Sequence, residues 1–116
     1  MTDSGCIFCR IASGEIDSDR VYDGERVVAF RDLDPKAPTH ILVIPRAHVP
    51  SVADLEDGDA PVIGELLLAA RDIAREEGLV ESGYRLVLNS GAGAGQSVFH
   101  LHLHLLGGRQ FGWPPG

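Results

Sequence analysis

His100-Leu101-His102-Leu103-His104-Leu105-Leu106 is the stretch from which the rest of the chain can be ordered. Histidine alternates with leucine, and a strand has a side-chain period of two. The three imidazoles therefore face one side and the leucines the other. The leucine side belongs to a core. The histidine side gathers three of the five histidines on one surface. A merely polar strand face is made more cheaply from serine or threonine. Imidazole is the side chain that serves as nucleophile, base or ligand near neutral pH.

Just upstream runs Ser90-Gly91-Ala92-Gly93-Ala94-Gly95-Gln96-Ser97. Two chemistries fit histidines beside such a loop. Alternate histidines on a strand can clamp a catalytic zinc. Alternatively one imidazole is a nucleophile and its neighbours hold an anionic group. The loop favours the second. Gly91, Gly93 and Gly95 let backbone N–H groups approach a phosphate closely, and Ser97 adds a hydroxyl donor. As a bare composition, a glycine-rich loop is more often a flexible connector than a phosphate cradle; its place beside three histidines favours the cradle.

Working outward, Tyr84–Asn89 reads as a strand, and His40–Pro45 as a short apolar strand buried on both faces. Residues 20–23 and 26–31 read as a hairpin joined at Asp23-Gly24. Asp32–Pro38 is a loop punctuated by two prolines. Pro61–Glu77 is the one long helix, with Asp59 near its N-cap and Gly78 as its stop. Its stripe is Ile63, Leu66, Leu67, Ala70, Ile73, Ala74 and Glu77. Residues 51–59 read as a solvated turn or short helix, and Ile7, Phe8 and Ile11 suit a short helix ended at Gly14. The sum is an α+β domain, an antiparallel sheet with one main helix packed on it. Residues 1–116 read as a single domain, with 107–116 as a C-terminal tail.

The chain has 116 residues, of which 44% are apolar and 23% charged, the balance of a globular protein with a real core. No apolar run approaches the ~18 residues of a membrane span. Met1–Gly5 has neither a basic region nor an apolar segment, so no secretory signal is expected. A net charge of -7 argues against a nucleic-acid partner. Cys6 and Cys9 stand as C-x-x-C without a secreted context. They are free thiols, a redox dithiol or half of a metal site. No β-α-β pattern follows them, so a thioredoxin-like role is not expected.

These residues resemble the histidine triad (HIT) family, whose signature is His-x-His-x-His followed by apolar residues. The likeness runs through Cys6-Ile7-Phe8-Cys9, Phe30–Pro35, Ala37–His40, Leu42–His48, Gly95–Phe99 and Leu106–Gln110. The ending Trp113-Pro114-Pro115-Gly116 is similar to the Hint branch. The resemblance implies a purine nucleoside phosphoramidase or related nucleotidyl hydrolase, cytoplasmic and homodimeric, with its sheet extended across the dimer. It implies that His102 attacks an α-phosphorus while the His100 carbonyl holds its other nitrogen. His104 donates to the phosphoryl oxygens, and Asn89 and Ser97 lie around the phosphate, next to Gly95 and Gln96. Asp32 accepts from ribose hydroxyls, and Phe8, Ile11, Ile16 and Leu33 line a purine cleft. Cys6, Cys9, His48 and His100 form a structural zinc site, and no organic cofactor is implied. His40 reads as a structural hydrogen-bonder. Rival readings are a dinucleoside polyphosphate hydrolase and a nucleotide-binding regulatory protein with little turnover. A uridylyltransferase-type enzyme has glutamine where this chain has His104.

Overall fold

The computed structural model describes residues 5–116. The stretch Met1–Ser4, read above as part of a leaderless N-terminus, lies outside them. Among the described residues, five strands form one antiparallel sheet: β1 (Arg20–Asp23), β2 (Val27–Arg31), β3 (Thr39–Pro45), β4 (Tyr84–Leu88) and β5 (Leu103–Gly107). Their order is β1-β2-β3-β5-β4. A short helix, α1 (Ile7–Ala12), and a long one, α2 (Ala60–Glu76), complete the α+β architecture.

The alternation of apolar side chains divides the sheet into two faces. Val27, Ala29, Ile41, Val43, Leu101, Leu103 and Leu105 pack against Leu66, Ala69, Ala70, Ile73 and Ala74 of α2. The other face carries Val28, Phe30, Leu42 and Ile44, covered by Phe8, Ile11 and Ala12 of α1. β3 is buried along nearly its whole length because both faces are covered. Two ion pairs clamp α2 to the sheet side: Arg26 to Glu65, and Arg31 to Glu77 at 2.9 Å. Glu77, counted in the helix stripe, works instead as this polar tether. Leu67 is 47% exposed, so the buried stripe runs through Ala69 rather than Leu67. Asp59 occupies the N-cap position of α2 but spends its carboxylate on the Glu56 amide in the preceding 3-10 turn.

Asp23-Gly24 does turn the first hairpin, where a side chain at Gly24 has no room. A Cβ there would lie 2.7 Å from the Tyr22 ring and 3.0 Å from the Val27 carbonyl oxygen. The last strand is shorter than its histidine-leucine pattern predicts, beginning at Leu103 rather than His100. Its ladder with β3 ends at Val43↔Leu103. The next β3 residue whose backbone faces β5 is Pro45, opposite Leu101 in that register, and it has no N–H to give. The Pro45 carbonyl accepts from the His100 imidazole at 2.8 Å, and the Leu101 amide turns to the Val49 carbonyl at 2.7 Å. The side-chain alternation survives this departure. Leu101, Leu103 and Leu105 all enter the α2 core, whereas the rings of His100 and His102 meet Phe8 on the opposite face.

Leu105 is fully buried at the centre of that core. Leu105→Ala is expected to cost about 3 kcal/mol, the transfer and cavity penalty of a truncated core leucine. A urea titration followed by circular dichroism measures it, and a loss below about 1 kcal/mol would show that the site collapses freely.

Candidate active site

The three histidines leave the chain within five residues of one another, yet each meets a different partner. His102 Nδ1–H donates to the backbone carbonyl of His100 at 2.8 Å. In the neutral ring this leaves the lone pair on Nε2. His104 Nδ1 lies 2.9 Å from His40 Nε2, and His40 Nδ1 accepts from the Lys36 backbone amide at 3.0 Å. The His102 and His104 rings are neighbours, with centroids 4.9 Å apart. Among the described residues, Ser18 Oγ is the only buried side-chain polar atom without a hydrogen-bond partner. The unpartnered Nε2 atoms of His102 and His104 therefore reach the surface.

His100 turns the other way. Its Nε2–H donates to the Pro45 carbonyl, so Nδ1 carries the lone pair. That Nδ1 lies 3.4 Å from Cys6 Sγ, 3.4 Å from Cys9 Sγ and 3.3 Å from His48 Nδ1. Cys9 Sγ and His48 Nδ1 are also 3.4 Å apart. The four donor atoms all lie within 4.8 Å of one another. These separations fit one central ion. Zinc–nitrogen bonds of about 2.05 Å and zinc–sulfur bonds of about 2.3 Å give tetrahedral N···N edges near about 3.35 Å and S···N edges near about 3.6 Å. Two thiolates and two imidazoles fill a tetrahedron and leave no open position. The carbonyl-bound Nε2–H of His100 supplies the outer hydrogen bond that orients a ligating imidazole. His102 has no place in this cluster, so alternate triad histidines do not converge on one metal.

Burial sets the charge state. His104 is pushed down to about 4, first by burial and then by His102 and His40. His40 and His100 are also lowered, again chiefly by burial. All three are neutral at pH 7, which matches their use as fixed donors and acceptors.

Asn89 lies one step beyond the last β4–β5 pair, Leu88↔Leu103, which brings it opposite His102. Neither the Asn89 nor the Ser97 side chain has a hydrogen-bond partner among the described residues. Much of the glycine loop is committed to itself. Gly91 N–H donates to Gln96 Oε1, Gly95 N–H to the Ala92 carbonyl, and Gly95 holds φ 96°. Gln96 is buried and staples the loop to the Pro50 and Val98 carbonyls. Of the three glycines, Gly91 and Gly95 thus spend their own amides inside the loop.

Asp32 takes the Asp34 amide on Oδ1 and holds Oδ2 3.6 Å from His40 Nε2. Leu33 beside it is 98% exposed. Phe8 and Ile11 are buried in the α1-side cluster, with Ile16 packed at its margin. Phe111 of the tail stacks with Arg85 and Arg109, while Trp113 stays 84% exposed. His40, read from sequence as merely structural, joins Asp32 and His104 in one close group. The available signal was its place at the start of the strand that pairs antiparallel with the histidine strand.

The two-faced sheet, the triad histidines with a fourth histidine wired to them, and the Cys2His2 cluster make a small α+β domain with a histidine site on one face. The HIT domain family model matches residues 13–111. A 14 kDa zinc-binding protein of Zea mays is 49% identical, over 100% of this chain and 91% of its own. A purine nucleoside phosphoramidase of Escherichia coli is 47% identical, over 91% and 89%. The crystal structure of a HIT family hydrolase from Legionella pneumophila superposes with a TM-score of 0.94 at 50% identity, covering 96% of this chain and 99% of that one. The chain belongs to the HIT family and is one of its hydrolases.

The depressed His104 gives a pH signature. In the folded chain it protonates near pH 4, against an ordinary 6.5 once unfolded. The unfolded state binds the extra proton between these limits. The stability this group contributes is full above about 6.5 and is lost as pH falls toward 4. His104→Asn is expected to flatten the fall of Tm across that window. Circular dichroism melts at stepped pH measure it, and an unchanged slope contradicts the assignment.

Proposed function

We propose that the chain hydrolyses purine nucleoside 5′-phosphoramidates, nucleotides joined through phosphorus to an amine, and acyl-nucleotides, through a covalent nucleotidyl-histidine at His102. The observation that carries the reading is the 2.8 Å bond from His102 Nδ1–H to the His100 carbonyl. It leaves the Nε2 lone pair as the ring's reactive site. Nε2 attacks the α-phosphorus, the bond from phosphorus to the amine breaks, and the amine leaves with that electron pair and takes up a proton. Water then attacks the same phosphorus. The P–Nε2 bond breaks, its electron pair returns to His102, and the nucleoside monophosphate departs. The likeness to the Escherichia coli phosphoramidase supports the substrate class.

The remaining residues follow from this. His104 Nε2–H, Asn89 and Ser97 donate to the phosphoryl oxygens and the leaving group. Gly95 and Gln96 shape the loop beneath them. Asp32 accepts from the ribose hydroxyls, and Phe8, Ile11, Ile16 and Leu33 flank the purine. Zinc in the Cys6, Cys9, His48 and His100 cluster, when bound, supplies a closed structural cross-link rather than an activated water. The metal is supported by the donor set and by the zinc-binding maize relative.

The chain works as an isologous homodimer in the cytoplasm, where its thiols stay reduced. Residues 1–116 are one domain, and the tail 107–116 reaches the partner's site and helps select the leaving group. β4 is an edge strand, and Leu86 and Leu88 are 37% and 39% exposed on the same side of the sheet as α2. Leu67 and Leu68 of α2 are also exposed. A second copy pairing along β4 would cover such a face.

His102→Ala is expected to lower phosphoramidate turnover by several orders of magnitude with nucleotide affinity largely kept. Quenched wild-type protein should carry a nucleotide adduct at His102 by intact-mass spectrometry. Near-normal turnover by the variant would overturn the nucleophile. Freshly prepared reduced protein should hold about one zinc per chain by metal analysis. A chelator should lower Tm more than it lowers the rate. Loss of turnover with an unchanged melt would instead indicate a catalytic metal.

A further inference from the structure

The hydrogen bonds around His40 determine where a proton sits on a ring two strand positions away. A backbone amide can only donate, and the Lys36 amide points at His40 Nδ1 from 3.0 Å. That nitrogen therefore carries a lone pair, and the neutral His40 ring must hold its proton on Nε2. The nearest acceptor to Nε2 is His104 Nδ1 at 2.9 Å. Asp32 Oδ2 stands at 3.6 Å, beyond a good hydrogen bond. His104 Nδ1 thus accepts, and its own proton lies on Nε2, the nitrogen that reaches the surface.

The Lys36 peptide is itself held from both sides. Pro35 and Pro38 restrict the loop around it, and its carbonyl accepts from Arg109 Nε at 3.0 Å. His40 is 5% exposed and cannot turn over without losing both ring bonds. The chain of assignments therefore starts from an amide of fixed direction and ends at the open edge of His104.

We infer that His40 is a positioning residue that locks His104 as the Nε2–H tautomer, so that this ring always offers the site a donor and never a lone pair. The functional weight of this assignment rests on the reading proposed above, in which His104 faces an anionic phosphoryl group. A lone pair there would repel the phosphoryl oxygens, and an N–H attracts them. Two neighbouring imidazoles, two residues apart in the chain, are thereby held in opposite tautomers. His102 presents a lone pair because a carbonyl takes its Nδ1–H. His104 presents a proton because another histidine donates to its Nδ1. Left free in water, the imidazole tautomers interchange, and each ring would present the wrong edge part of the time.

Long-range 1H–15N correlation spectra of the full-length, ligand-free protein read the tautomers directly. Wild type is expected to show His104 protonated on Nε2 and His102 protonated on Nδ1. His40→Leu removes the donor, and His104 should become a tautomer mixture. His40→Gln returns an N–H near the position of Nε2, and the Nε2–H form of His104 should be restored. Phosphoramidate kcat should fall roughly a hundredfold in the leucine variant, with KM little changed, and recover most of that loss in the glutamine variant. An Nδ1–H form of His104 in wild type overturns the inference without any variant, so a leucine variant that fails to fold leaves it testable. An unshifted tautomer in a folded His40→Leu protein overturns it as well. Wild type with the expected tautomers but no phosphoramidate turnover upholds the His40 assignment and overturns the functional reading instead.

Discussion

The hydrogen bond from His102 Nδ1–H to the His100 carbonyl is the constraint on which the rest of the site depends. It is possible only because β5 starts late. In a continued ladder the His100–His102 segment would follow the regular course of the sheet. Pro45 ends that ladder, and its carbonyl takes an imidazole N–H in place of a backbone one. His100 is then fixed at two points. Its ring is anchored in the Cys2His2 cluster, and its carbonyl orients the next histidine. Any ion that tightens the cluster also steadies the peptide that aims His102, although the cluster has no open position for chemistry of its own.

Burying several imidazoles side by side is costly unless each nitrogen is satisfied or reaches water. Here the cost is limited by keeping the rings of His40, His100 and His104 neutral. Burial lowers His40, His100 and His104, and for the first two each ring nitrogen faces a carbonyl, an amide, a neighbouring ring or the metal-type cluster. The same neutrality makes the tautomers specific, because a protonated imidazole donates from both nitrogens and carries no directional information.

Much of this was legible in the sequence, and the reasons differ from place to place. The histidine-leucine alternation sorted the two faces correctly because side-chain period persists even where the ladder stops. The C-x-x-C pair joined His48 and His100 once the likeness to the HIT family supplied the positions. The start of β5 was not legible, since the obstacle lies in Pro45, 58 residues before Leu103 and on another strand. His40 was underread for a similar reason. Its partner stands 64 residues away and is identified only by the β3–β5 register. The internal bonding of the glycine loop was not legible, because composition reports conformational freedom and not where each amide points. Gln96, whose side chain spans the loop, had already claimed one of those amides and tied the turn to the Pro50 carbonyl.

The charge around the site has a further consequence for turnover. Among the described residues, eight of the ten basic side chains pair with carboxylates. The other two, Arg85 and Arg109, stack with Phe111 of the tail. Among the described residues none is hydrogen-bonded to the triad rings, so on the proposed reading the donors His104, Asn89 and Ser97 that this chain turns to the phosphoryl group are neutral. A phosphoramidate monoester carries one negative charge on phosphorus, and the nucleoside monophosphate produced carries nearly two at pH 7. A cationic site would hold the product more tightly than the substrate, since Coulomb attraction grows with charge. Neutral imidazole, amide and hydroxyl dipoles discriminate far less between them. They still stabilise charge as it shifts in the transition state, because they are already oriented when the substrate arrives. On the proposed reading a fixed neutral His104 would thus favour release of the product, and a lysine or arginine in its place would trade that for tighter binding.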